Sequence, residues 1–135
     1  MQHFRSLLLL ALATLILTSA RVALAEDVGA VLPVETVKEM LLGKTVKLLD
    51  IDRNSRGYNQ TVTATFNQEG AIDAWSTSGA KNVGTLSFTS DGRALMQWKS
   101  SIWPEWAFTV HKNGNDLIFR LPSKGVDKFL LRGAQ

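Results

Sequence analysis

The stretch Gln60-Thr-Val-Thr-Ala-Thr-Phe-Asn-Gln-Glu-Gly70 decides the fold class. From Gln60 to Phe66 the residues alternate strictly, with Val62, Ala64 and Phe66 on one side and Thr61, Thr63 and Thr65 on the other. A period of two marks a strand with one face buried and one face in water. Asn67-Gln-Glu-Gly70 then supplies turn residues, and a second strand reads from Ala71 to Ser76. The unit is strand, tight turn, returning strand.

The same pattern extends in both directions. Upstream, Thr45 to Asp50 sets Val46 and Leu48 on one face, and Asp52-Arg-Asn-Ser-Arg-Gly57 forms a polar loop. Downstream, strands are expected at Val83 to Thr89, Ala94 to Lys99, Glu105 to His111, Leu117 to Leu121 and near Asp127 to Arg132. The turns between them fall at Ser78-Gly79, Ser90-Asp91-Gly92, Trp103-Pro104, Asn113-Gly114 and Pro122-Ser-Lys-Gly125. No connection is long enough to make a parallel pair, which takes a dozen or more residues. A meander of about eight strands curls and closes, because closure removes its edges. Pro33 opens a single helix, Val34 to Leu42, with Val34, Val37 and Leu41 on one face and Gly43 as its stop. The fold class expected is therefore all-β with one N-terminal helix lying on the core. Its architecture is a small antiparallel meander barrel of about eight strands, with a two-sheet β-sandwich as the alternative. A transmembrane barrel needs strands of about nine to eleven residues and an apolar outer band. The strands here are shorter, and their outer faces carry threonine, lysine and serine.

The N-terminus reads as an export signal. Arg5 precedes the apolar run Leu7 to Thr18, and Ala23-Leu24-Ala25 forms a small-x-small cleavage site before Glu26. That order predicts a signal peptide over residues 1–25, a flexible lead-in over 26–33, and one β-barrel domain with its N-terminal helix over 34–135. The expected location is the periplasm or the extracellular space. The whole chain carries 15 Lys+Arg and 12 Asp+Glu. Arg5 and Arg21 fall inside the signal, so the processed chain holds 13 basic against 12 acidic residues, a net charge of +1. Near-neutrality and export argue against nucleic acid as a partner. With no cysteine, the chain has no disulfide, thiol or Cys-type zinc chemistry.

Three of the four tryptophans lie between Trp98 and Val110. Trp98 falls in step with Met96, and Trp106 with Phe108 and Val110, which is the periodicity of a core. Trp103 sits at the Trp103-Pro104 corner, where an exposed aromatic signals interaction. Aromatic residues at a barrel mouth offer a large stacking surface to a sugar ring or an apolar ligand. Trp98, Trp103, Trp106 and Phe108 are thus the candidate ligand-binding residues. Asp50-x-Asp52-x-Asn54 imitates the start of a calcium loop, but Ser55 and Thr61 replace the glycine and glutamate that such a loop needs. No metal or cofactor is expected. His111, the one histidine of the processed chain, reads as an outward strand residue with no carboxylate placed to orient it, so no catalytic residue is assigned. Lys124, Lys128 and Arg132 read as a solvated strand face.

Leu42-Gly-Lys-Thr45, Phe66-Asn-Gln-Glu-Gly70 with Ala74-Trp75, and Gly84-Thr85-Leu86 before Asp91-Gly92 resemble a family of small exported bacterial proteins of unknown function with lipocalin-like barrels. Leu86 stands where that pattern usually has tryptophan, and the cysteine often found further on is missing. The resemblance covers about Leu41 to Trp98 and implies export, a barrel and a pocket. The expected function is a non-enzymatic binding module holding a small apolar or aromatic ligand, or a peptide, near the tryptophan-rich hairpin. The alternative is a protein-interaction, inhibitor or envelope-stress protein that acts through its loops around a filled barrel. The size of the inward side chains separates the two, since an eight-stranded barrel is only just wide enough for a ligand. Stable membrane insertion is not expected, and the sequence sets no oligomeric state.

Overall fold

The computed structural model of the protein describes residues 29–133. The expected signal peptide lies outside the described residues, as do 26–28 of the lead-in. One helix, α1 (Val34–Leu41), precedes eight strands: β1 (Thr45–Asp50), β2 (Thr61–Phe66), β3 (Ala71–Ser76), β4 (Lys81–Phe88), β5 (Ala94–Trp98), β6 (Trp106–Asn113), β7 (Asp116–Leu121) and β8 (Val126–Leu131). They close in sequence order into an antiparallel barrel, so the barrel stands and the sandwich does not. The alternation of Gln60–Phe66 becomes burial: Val62, Ala64 and Phe66 are interior, and Thr61, Thr63 and Thr65 line the outside. The hairpin expected at Asn113-Gly114 is displaced by one residue. Asn113 pairs with Asp116, leaving Gly114-Asn115 as the two-residue loop.

The interior is asymmetric. Phe108, Phe119 and Phe129 come from β6, β7 and β8 and are almost wholly buried. The inward residues Ala64 and Ala74 of β2 and β3 are small, as is Ala94 of β5, the cross-strand partner of Phe108. Large side chains opposite small ones allow a narrow barrel to fill at native density. The phenyl rings meet edge to face, Phe108 lying 5.6 Å from Phe119 and 5.7 Å from Phe129 by ring centroid.

Connections alternate between two ends, which we call upper and lower. The lower end carries the short turns after β2, β4 and β6, together with α1. Val37 and Leu41 of α1 are buried in the common core cluster, and the Lys38 ammonium lies 5.4 Å from the centre of the Phe88 ring. The helix covers this end, as its apolar face predicts. Gly29–Leu32, expected as flexible lead-in, runs beside β6 instead. Leu32 N–H donates to Val110 O at 2.8 Å and Gly29 N–H to Lys112 O at 3.0 Å. The reason lies in the sheet: β5 pairs with β6 only from Trp106 to Phe108, which leaves the lower edge of β6 open to the lead-in. The upper end carries the loops after β1, β3, β5 and β7.

Candidate functional site

The loops of the upper end surround a cleft of about 440 Å³ whose floor is the top of the barrel interior. That volume lies in the lower part of the range of small-molecule pockets, about 300–1,000 Å³. The β5–β6 loop forms one wall through Ile102, Trp103, Pro104 and Trp106. The long β1–β2 loop forms the facing wall with Asp52, Asn54, Ser55 and Arg56, and Lys124 stands on the β7–β8 turn. One wall is aromatic and apolar, the other polar and charged.

The aromatic wall is a packed unit. Trp103 and Trp106 lie nearly parallel, with an interplanar angle of 24° and centroids 6.0 Å apart. Trp98 stands edge-on to both, at 4.8 Å from Trp103 and 5.6 Å from Trp106. Trp98 reaches this position because its cross-strand partner is Gly84. A Cβ at Gly84 would stand 2.9 Å from the Trp98 ring, closer than real contacts allow. The loop itself is held from β4. Buried Asn82 donates to Ser100 O at 3.0 Å and accepts from Ser100 N–H at 3.1 Å. A fixed aromatic surface therefore faces the cleft, and no ordering of a loose loop is needed to form it.

The floor holds charge. Asp50 and Lys128 form an ion pair at 2.8 Å with side chains 4 % and 9 % exposed. Ser55 completes a triangle: its hydroxyl donates to Asp50 Oδ2 at 2.7 Å and accepts from Lys128 Nζ at 2.6 Å. Asp50 Oδ1 accepts the Asp52 N–H at 3.0 Å. The Lys128 ammonium also lies 5.2 Å from the centre of the Phe129 ring and 5.7 Å from that of Trp106. Buried charges persist only when paired and hydrogen-bonded, and here both are. This replaces the reading of Lys128 as part of a solvated face.

The physical reason is a β-bulge. Phe119 pairs with Phe129 and Arg120 with Asp127, so Lys128 is an extra residue in β8. The bulge turns Lys128 and Phe129 inward together, where plain alternation would send the lysine outward. Nothing in the strand's sequence marks the bulge. Asp50 was more legible, since it is in phase with inward Val46 and Leu48. The oxygens that imitate a calcium loop have internal partners: Asp50 bonds Lys128 and Ser55, and Asp52 Oδ1 accepts the Asn54 N–H at 3.0 Å. Among the described residues no group of three or more His, Asp or Glu side chains is placed to hold a metal.

Of the four residues singled out in the sequence, Trp103 and Trp106 line the cleft. Trp98 backs them without lining it. Phe108 lies below the floor, wholly buried beside Phe119 and Phe129. The site includes residues that the sequence did not nominate: Ser55, Arg56, Ser76, Ser78 and Lys128. His111 is on the outer face of β6, bonded to Thr109 Oγ1 at 2.8 Å and to the Gly29 carbonyl, remote from the cleft.

No helix among the described residues is long and apolar enough to cross a membrane. The chain matches no protein-family model, no curated protein and no solved structure.

Proposed function

We propose that the protein is an exported, non-enzymatic binding module that holds a small ligand with a flat apolar face in the upper cleft. The observation that carries this reading is the preformed wall of Trp103 and Trp106 beside an open volume of about 440 Å³. A rigid aromatic surface lowers the ordering cost of binding, and stacking on it accepts any flat ring. Ser76 and Ser78, which bond each other, add hydroxyls at the opposite rim for polar substituents of the ligand. Export rests on the Arg5, Leu7–Thr18 and Ala23-Leu24-Ala25 pattern, which places the protein in the periplasm or outside the cell. The same pattern and the barrel support kinship with small exported lipocalin-like proteins of bacteria.

Tryptophan fluorescence of the chain from Glu26 tests the reading, with Trp75→Phe removing the signal of the exposed tryptophan. Titration with uncharged naphthalene-2-carboxamide is expected to change the emission saturably, and Trp103→Ala to abolish the change. A flat response from the parent chain would overturn the proposal.

A second reading, docking of a protein partner, draws on exposed apolar side chains. Ile102 at the loop tip is 58 % exposed, and Trp75 and Val83 are diagonal neighbours on the outer face of β3 and β4. In that reading the barrel interior is filled by its side chains, and the loops are the docking surface.

A further inference from the structure

The charges around the cleft are not balanced. The four upper loops carry Arg53, Arg56, Lys99 and Lys124 against Asp52 and Glu105. At the opposite end, α1, its link to β1 and the short turns carry Lys38, Lys44 and Arg93 against Glu35, Glu39, Glu69 and Asp91. The excess of positive charge therefore sits where the cleft opens.

Within the cleft the balance is also positive, with Arg56, Lys124 and Lys128 against Asp50 and Asp52. Asp50 and Lys128 neutralise each other on the floor. Asp52 has its Oδ1 engaged by the Asn54 N–H, and Glu105 accepts from Gln97 Nε2 at 3.1 Å on the outside of the loop. Arg56 and Lys124 line the cleft, and no carboxylate among the described residues pairs with either. Two unpaired cations next to low-dielectric aromatic walls concentrate a positive potential in the opening. The pocket thus combines a flat apolar surface with an anion-attracting rim.

We infer that the ligand is a small ring acid, stacked by its ring on Trp103 and Trp106 and held by its carboxylate at Arg56 and Lys124. This deepens the binding-module reading and rests on it. The guanidinium of Arg56 suits a carboxylate because its planar fork offers two parallel donors, and Lys124 adds a mobile point charge. The Asp50–Lys128 pair has a separate part in this account. It keeps the floor polar and neutral, so the attraction comes from the rim and not from the interior.

A ring-matched series tests the inference by calorimetry at low ionic strength: naphthalene-2-carboxylate, naphthalene-2-carboxamide and 2-naphthylmethylammonium. The acid is expected to bind about tenfold tighter than the amide, the combined value of two partly exposed ion pairs. The amine should bind weakest, and the acid's advantage should shrink in 0.5 M salt, where the Debye length falls to about 4 Å. In the double variant R56Q/K124Q the acid-to-amide affinity ratio should fall to about one. Both substitutions are at the rim, and an unchanged melting temperature checks that the variant is folded. Equal binding of acid and amide by the parent chain overturns the charge assignment and leaves the ring-binding reading standing. The amine binding tightest, or a ratio that survives R56Q/K124Q, also overturns it. No binding by any of the three overturns both.

Discussion

The two ends of this barrel are made by the same eight strands and are chemically opposite. The lower end is closed by α1, whose Leu41 is almost wholly buried, as is Phe66 of β2. Its connections are short turns fixed by local bonds, as where Asn67 Oδ1 accepts the N–H groups of Glu69 and Ala71. The upper end has longer loops, a half-buried Trp103 packed on the buried Trp106, and a buried ion pair where a core would have another layer of hydrocarbon. One end maximises burial. The other keeps an open volume at some cost in stability, which is the usual relation of a binding site to its scaffold.

The contrast makes predictions, of which the largest concerns the filled end. Phe119→Ala should destabilise the protein by about 4 kcal/mol, from lost burial and the cavity left among packed phenyl rings. Urea denaturation measures it. The ligand response of the folded fraction should survive.

Next is the charged floor. Lys128→Met leaves Asp50 buried without its cation and should cost about 3 kcal/mol or more in the same assay. The double variant K128M/D50L should recover most of that loss, because the uncompensated charge is removed with its partner. If K128M alone were neutral, the floor would be open to water and not part of the interior.

Trp103→Ala should separate the two properties that the ends embody. Loss of its edge-on and stacked contacts with Trp98 and Trp106 should cost about 1–2 kcal/mol, well below the value for Phe119. Ring binding, in contrast, should be lost.

The smallest effect is expected in the β4–β5 turn of the lower end. The Thr89 hydroxyl donates to Asp91 and holds its carboxyl below the ordinary value of 3.8, with burial opposing and Arg93 assisting. A depressed carboxylate stabilises the fold above its ordinary range, and that contribution is lost as pH falls through the lowered value. Asp91→Asn should therefore lower the melting temperature slightly at pH 7 and make no difference well below pH 3.8. The site is solvent-exposed, so the change should be the least of the four.

How much of this was readable in the sequence differs between the two ends. Alternation at Thr45–Asp50 and Gln60–Phe66 located those strands and their inward faces, because period two follows directly from the pleat, and the Asn67-Gln-Glu-Gly70 turn located the strand Ala71–Ser76. The helix was equally legible from Pro33, its apolar stripe and Gly43, and the closed meander from turn spacing. Much of the cleft was not. Lys128 faces inward only because β8 bulges, and a bulge depends on how two strands register, not on one strand's own residues. Phe108 and Trp106 share one face of β6, and the pattern that joined them could not tell which lies at the floor and which below it. Arg56 and Lys124 are far apart in the chain and share the cleft only after the barrel closes. The lead-in bonds to β6 because β5 is short, another consequence of pairing and not of composition.

The most direct test of the central claim, that one end is a sealed core and the other a ligand cleft, is a residue-resolved NMR titration with naphthalene-2-carboxylate. The account predicts amide and indole shifts confined to Ser55, Ser76, Ser78, Trp103, Trp106, Lys124 and their neighbours, with Gly70, Gly92 and Asn113 at the lower end unmoved. Shifts centred on α1 and the lower turns, or on Trp75 and Val83 of the outer face, would contradict it.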